Sequence, residues 1–179
     1  MSVTSLEALP EDARVWIFGA DRPVEEAAAD RLRSLMIPFL SEWTAHDREL
    51  RAACELHEDR FLVVAVDERP ARASGCSIDA LVHHVRSIET ELGIGLLDGT
   101  PVWYRSPEGR IETTSRDGFR KLAEQGAVDA RTPVFDLAAS RLGDLRAEGF
   151  ERPARQSWHA RLLERAGASA RKTGEAGED

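Results

Sequence analysis

The chain has 179 residues, 42% of them hydrophobic and 31% charged, which is enough for one hydrophobic core and too little for two independent ones. Its formal net charge of −8 leaves no basic stripe that could neutralise phosphates along a groove, which argues against nucleic acid as a partner. The two cysteines do not make a disulfide framework, and neither a signal pattern nor an apolar run of the ~20 residues of a membrane span is present, so we expect a soluble, cytoplasmic protein that is not membrane-embedded.

The first half of the chain predicts three strands and two helices. Residues 14–20 and 61–67 are apolar on both alternating faces, as expected of central strands that are buried on two sides. Residues 50–56 alternate between apolar and polar, which is typical of an edge strand. Apolar residues recur at helical spacing over 24–43 and over 78–92, so each of these stretches predicts a helix with one face on the core.

The second half predicts shorter elements around one hairpin. Residues 102–104 form a strand, and a turn at 106–109 leads into its hairpin partner at 110–113. The remaining predictions are a helix at 115–125, an extended segment at 132–135, helices at 137–147 and 156–165, and a disordered tail at 166–179, which lacks large apolar residues.

The order strand, helix, strand, strand, helix, strand predicts an α+β fold of the ferredoxin-like split βαβ type, with an added hairpin strand and a helical C-terminal extension. We expect a single domain over residues 1–165, with a core at 13–114 and the extension at 115–165. In this topology the first and third strands are central, which agrees with their apolar faces. The second face of the sheet must be covered by the C-terminal third or by a second copy of the chain, which would make a homo-oligomer.

A run of small and polar residues, Ala73–Asp79, opens the second predicted helix. The unpaired N–H groups and the dipole of a helix start favour anions and thiolates. We therefore predict that a small anionic or nucleotide-like ligand binds here through Ser74, Gly75, Ser77 and Asp79. The same run also suits an ordinary helix start with serine caps and a buried cysteine.

The predicted topology places the end of the first helix beside this run. Trp43 would then offer the ligand a stacking surface, and Asp67 would contribute a polar group from the end of the third strand. Cys76 would be a catalytic nucleophile and His46 its base, in acyl or thiol transfer. His46 equally suits a helix C-terminus, where a histidine satisfies free carbonyl groups.

The sequence predicts neither a metal site nor a cofactor. His83 and His84 are adjacent, so they face apart on a helix, unlike the i, i+4 pair of a zinc-binding helix. Asp67 and Glu68 are two carboxylates after a strand, which by themselves do not predict a cation site.

Four short motifs occur in a fixed order along the chain: Arg14–Ile17 (RVWI), Glu42–His46 (EWTAH), Ala73–Asp79 (ASGCSID) and Ser157–His159 (SWH). With these motifs, over roughly residues 5–165, the chain resembles a family of small uncharacterised bacterial proteins that are often labelled ABC transporter ATPases. An ABC ATPase needs a P-loop, Gly-x-x-x-x-Gly-Lys-Ser/Thr, and neither lysine of this chain lies in one. We therefore interpret the label as an inherited name and not as an activity.

Three hypotheses about function follow from these residues. The first is a non-enzymatic module that binds a small anionic or nucleotide-like ligand at the helix start. The second is a cysteine-dependent enzyme that uses Cys76 and His46. The third is a scaffold or homodimer in which the cysteine is structural.

The missing P-loop predicts that the purified protein does not hydrolyse ATP. Phosphate release from ATP should be the same for the natural chain and for a Cys76→Ala variant. Turnover by the natural chain well above that of the variant would contradict the prediction.

Overall fold

The structure, a computed structural model, describes residues 5–45, 48–98 and 101–165. Its helices and strands are, in chain order, β1 (Arg14–Gly19), α1 (Glu26–Glu42), β2 (Thr44–Ala45), β3 (Arg48–Glu49), β4 (Arg51–His57), β5 (Phe61–Asp67), α2 (Gly75–Leu92), β6 (Val102–Arg105), β7 (Ile111–Thr114), α3 (Arg116–Glu124), β8 (Pro133–Phe135), α4 (Leu142–Glu148) and β9 (Glu151–Pro153). The mixture of helices and antiparallel sheets confirms the predicted α+β class. The tail predicted to be disordered, residues 166–179, lies outside the described residues.

The chain divides into two compact units. Unit 1 consists of residues 1–99 and 137–147, and unit 2 of residues 100–136 and 148–179. The single domain with a core at 13–114 stays a prediction from the sequence. We call Leu137–Ala147 the return segment, because the chain comes back to unit 1 there after entering unit 2.

The main sheet of unit 1 has three antiparallel strands in the order β1-β5-β4. Every residue of β5 is buried, as predicted for the central strand. Trp16 and Cys54 both lie opposite Val64, one on each side of it, so the three side chains share the sheet face that carries the helices.

The prediction of a ferredoxin-like strand order is wrong in its fourth strand. Residues 102–104, expected in the main sheet, belong to β6, which pairs with β7 and β8 in unit 2. The edge of β1 is instead occupied by the return segment, since Val15 N donates to Ser140 O at 3.0 Å and Leu142 N donates to Ala13 O at 2.9 Å. A run of β-branched and aromatic residues predicts a strand but not its hydrogen-bonding partner, which is why the sequence placed this strand in the wrong sheet.

The helix face of the sheet carries the larger core of unit 1. Helices α1 and α2 bury apolar stripes at helical spacing, as the sequence predicts. The fully buried members of this core include Leu32, Met36, Leu62, Val64, Val66, Leu81, Val85 and Ile88. Helix α2 ends as predicted at Gly93, which adopts the left-handed conformation with φ of 60°.

The second face of the main sheet is covered by the return segment and by residues 6–9, which we call the N-terminal turn. Val15 and Val63 point to this face and pack with Leu9 and Leu142, and the partly buried Leu145 packs against them. This arrangement removes the exposed apolar face on which the expected homo-oligomer depended. The cover combines residues from before β1 with residues from the return segment.

Unit 2 has an antiparallel sheet in the order β7-β6-β8-β9 with helix α3. The hairpin of β6 and β7 and the helix α3 agree with the sequence-based expectation. The predicted helix at 156–165 is helical only over residues 160–165. The core of unit 2 contains Val102, Phe119, Val128, Val134, Ala154 and Leu162.

Among the residues the structure describes, no helix combines the length and apolar composition that crossing a membrane requires.

The cover of the second sheet face predicts a large stability effect at Leu142. Leu142→Ala should lower the free energy of unfolding by about 2–5 kcal/mol, because it leaves a cavity under α4 at a residue that is 2% exposed. Urea unfolding measures this change. Ile37→Ala is the control, since Ile37 is 46% exposed and its removal should change stability by less than about 0.5 kcal/mol. Equal effects of the two substitutions would contradict the prediction.

Candidate functional site

The start of α2 is held by a reciprocal capping box between Ser74 and Ser77. Ser77 N donates to the hydroxyl of Ser74 at 3.2 Å, and Ser74 N donates to the hydroxyl of Ser77 at 2.7 Å. Ser77 is also buried. Both hydroxyls that were predicted to bind a ligand are therefore engaged in closing the helix.

Two further residues of this run are open to solvent. Gly75 has no other atom within 4 Å of the position that a Cβ would occupy, so its lack of a side chain serves no close approach in this structure. Asp79 is exposed on the first turn of α2.

Trp43 is a core residue and not an open stacking surface. Its side chain is 4% exposed, and its indole lies edge-on to that of Trp16 with the ring centroids 6.0 Å apart. The indole N–H donates to Ser77 O at 2.9 Å. Trp43 thus joins the end of α1 to the first turn of α2, at the end of the sheet where the sequence places both.

Asp67 is buried and holds an arginine. Arg69 Nε donates to its carboxylate at 2.8 Å and Arg69 Nη2 at 2.6 Å, which is a bidentate ion pair. The side-chain hydrogen bond from Arg69 lowers the pKa of Asp67 below its ordinary value. Asp67 therefore positions the charged guanidinium group of Arg69, and its own carboxylate is not open to a ligand.

The structure describes only one member of the predicted catalytic pair. Cys76 is exposed at the second residue of α2, and His46 lies outside the described residues. The other cysteine, Cys54, is half-buried in β4, and burial raises its pKa to about 11. Cys54 is therefore a packing residue.

A cleft of about 750 Å³ opens in unit 1 beside the loop that leads into α2. We call it the arginine cleft. Its lining residues are Asp12, Arg14, Glu68, Arg69, Arg72, Ala73 and Arg141. Arg14 opens β1, Arg69 and Arg72 lie in the loop between β5 and α2, and Arg141 belongs to the return segment.

The arrangement of the strands places two of these arginines side by side. Arg14 and Arg141 are antiparallel bridge partners, so their side chains project from the same face at neighbouring positions. Like charges directly opposite each other are destabilising in an antiparallel pair. Arg14 lies over the Trp16 ring, 4.8 Å from its centroid, and Arg141 Nη1 donates to Asp12 O at 2.8 Å.

The carboxylates of the cleft neutralise its arginines incompletely. Glu68 Oε1 lies 3.7 Å from Arg14 Nη1, and it also accepts a hydrogen bond from Ala73 N at 3.0 Å. Asp12 is exposed. Arg72 makes no hydrogen bond or ion pair within the described part of the chain and is exposed to solvent. The cleft thus presents guanidinium groups without a full set of counter-charges.

Sequence reasoning identified the neighbourhood of this cleft but not its arginines. The predicted ligand run begins at Ala73, which lines the cleft. Arg69 and Arg72 precede that run directly, and this clustering of basic residues before a helix start was a usable signal. Arg141 carried no such signal, because its position depends on the pairing of the return segment with β1.

In unit 2, the Ser157–His159 motif is part of the core. The His159 ring is fully buried and stacks on Trp158 with the centroids 3.8 Å apart. Its Nδ1 lies 2.8 Å from Ser157 Oγ, and burial lowers its pKa to about 4. His159 is therefore neutral near pH 7 and serves packing.

Comparisons with known proteins give no match to this chain, either among protein-family models, among curated proteins or among solved structures.

The ion pair of Asp67 predicts a pH-dependent contribution to stability. Asp67→Asn should lower the free energy of unfolding by about 1–2 kcal/mol at pH 7, because it removes a charge-assisted bidentate pair from a buried group. The pKa of Asp67 is lowered in the folded state, so this contribution is complete above the ~3.9 of an unfolded aspartate and is lost as the pH falls below it.

Urea unfolding of both proteins at pH 7, 5 and 3.5 measures the difference. Asp30→Asn is the control, since Asp30 pairs with Arg33 on the exposed surface of α1 and should contribute less than about 0.5 kcal/mol. A difference between Asp67→Asn and the natural chain that stays constant with pH would contradict the assignment.

Proposed function

We propose that this protein binds a small anionic ligand in the arginine cleft. The observation that carries the proposal is the juxtaposition of Arg14 and Arg141 as bridge partners, together with Arg72 in the same cleft, which has no partner among the described residues. An anion in the cleft would add the counter-charge that these arginines lack. This proposal keeps the predicted ligand class and moves the contacts from the helix start to the arginines beside it.

The chemistry of arginine defines what such a ligand offers. A guanidinium group is planar and always charged, and it binds carboxylate or phosphate oxygens in pairs. A cleft of about 750 Å³ is within the size range of small-molecule sites. The expected ligand is therefore a phosphate or carboxylate compound of low molecular weight.

The lining also argues against a nucleotide base as the main contact. Ala73 is the only apolar residue among the described residues that line the cleft, and none of them is aromatic. Trp43, the predicted stacking surface, is buried in the core. A ligand recognised here would thus be bound through its anionic groups and not through a ring.

Titration with pyrophosphate tests this proposal. Isothermal calorimetry at low ionic strength, in a buffer without phosphate, should show saturable binding to the purified chain. Arg72→Ala should weaken the affinity about tenfold, because a hydrogen bond between charged groups is worth about 1.5 kcal/mol or more. Added sodium chloride should also weaken binding by screening.

Arg33→Ala is the matched control. Arg33 lies on α1, pairs with Asp30 and is absent from the cleft, so its removal should leave the affinity unchanged. A lack of saturable binding, or an equal loss in both variants, would contradict the proposal.

A further inference from the structure

We infer that the ligand of the arginine cleft carries at least two separated anionic groups and bridges two parts of unit 1, the return segment and the loop between β5 and α2. This inference rests on the proposed function. It adds the class of ligand and the chain segments that the ligand joins.

The return segment is attached to β1 by a short backbone pairing. Val15 N donates to Ser140 O at 3.0 Å, and Leu142 N donates to Ala13 O at 2.9 Å. These two bonds flank the one residue pair, Arg14 and Arg141, that forms the bridge. The pairing is too short to resist opening by itself, so the position of Arg141 depends on contacts elsewhere in the segment.

Those contacts lie on the side of the return segment that faces the N-terminal turn. Arg146 Nη2 donates to Leu6 O at 2.7 Å and to Leu9 O at 3.1 Å. Gly143 N donates to Glu11 O at 2.8 Å. The return segment lies close to Glu11 at this point, because a Cβ on Gly143 would lie 3.1 Å from that same oxygen and 2.8 Å from the Glu11 carboxylate.

Docking of the return segment carries an electrostatic cost that an anion removes. It places Arg141 directly opposite Arg14 in the strand pairing, and like charges at opposed positions are destabilising. Only the docked state offers both groups to a ligand. An anion bound through Arg141 therefore stabilises docking by the free energy of its own preferential binding.

The loop between β5 and α2 supplies a second pair of guanidinium groups to the lining. Arg69 is held in place by the bidentate pair with Asp67, and Arg72 has no partner among the described residues. In each pair one arginine, Arg141 or Arg72, has no carboxylate partner among the described residues, so a ligand with two anionic groups can supply a counter-charge to both chain segments.

The volume of the cleft points to the same class of ligand. A cleft of about 750 Å³ has room for a ligand larger than inorganic phosphate. A single inorganic phosphate would leave most of this space to solvent. A ligand with two or more anionic groups, either an oligophosphate or an oligocarboxylate, has room there to contact arginines from both chain segments.

The affinities of inorganic phosphate, tripolyphosphate and citrate, measured at one ionic strength, test the ligand class. At least one of the two oligoanions should bind the natural chain tenfold or more tightly than phosphate does. Arg141→Ala and Arg72→Ala should each reduce this preference to about threefold or less, since each removes a contact on one side of the bridge. Tighter binding of tripolyphosphate than of citrate would identify the ligand as an oligophosphate, and the reverse order would identify it as an oligocarboxylate.

Hydrogen exchange of the Val15 amide tests the bridge itself, because this amide donates to the return segment. At an oligoanion concentration ten times the Kd, its exchange should slow about tenfold in the natural chain. In Arg141→Ala, at ten times the Kd of that variant, it should stay unchanged. Gly143→Val, which lies outside the cleft and should push the segment away from Glu11, should bind the oligoanion as weakly as Arg141→Ala does.

Each outcome decides the inference. Equal affinities for phosphate and both oligoanions would overturn it and leave the proposed function standing, whereas failure of all three to bind would overturn both. Tighter binding of an oligoanion with unchanged Val15 exchange in the natural chain would also overturn the inference. A Gly143→Val variant that binds the oligoanion as tightly as the natural chain does would overturn it as well.

Discussion

The backbone pairing between β1 and the return segment brings together the sheet, the core and the cleft of unit 1. It occupies the edge of β1 that would otherwise present unpaired N–H and C=O groups. It also carries Leu142 onto the second sheet face, where the side chain packs with Val15 and Val63. The same pairing places Arg141 beside Arg14 in the arginine cleft. One short contact between distant parts of the chain therefore determines three properties that local sequence cannot specify.

The elements that the sequence predicts well are those set by neighbours along the chain. Strand β5 spans the predicted residues because its apolar run is bounded by polar groups, and α2 ends at Gly93 because glycine adopts the left-handed conformation at no steric cost. The partner of a strand is a tertiary property. The β-branched and aromatic residues of β6 favour a strand, but its pairing with β7 and β8 is not set by local sequence. The sequence offers the C-terminal third as one possible cover of the second sheet face, but the pairing of the return segment with β1 is likewise a tertiary property.

The residues at the start of α2 lie beside the arginine cleft, but the serine hydroxyls that were predicted to bind a ligand are used within the helix. Small polar residues before an apolar stripe predict a helix start, and a helix start predicts an anion site. In the structure the hydroxyls of Ser74 and Ser77 satisfy each other's backbone N–H groups, and the Trp43 indole bonds to Ser77 O. These polar groups of the run Ala73–Asp79 therefore serve the fold and are not free to bind a ligand. The positive charge that remains available belongs to the arginines just before it and to one from the return segment.

An acidic protein can still hold an anion in such a cleft. At physiological ionic strength the Debye length is about 8 Å, so the exposed carboxylates elsewhere on a chain of net charge −8 are largely screened at the cleft. The carboxylates that matter are those of the lining itself. Glu68 competes with a ligand for Arg14, and Asp67 already holds Arg69. A ligand with a single anionic group must replace such a contact for little gain, whereas a ligand with several groups makes its second contact at a high effective concentration. On the proposed function, the acidic residues of the cleft would therefore favour oligoanions over ligands with a single anionic group.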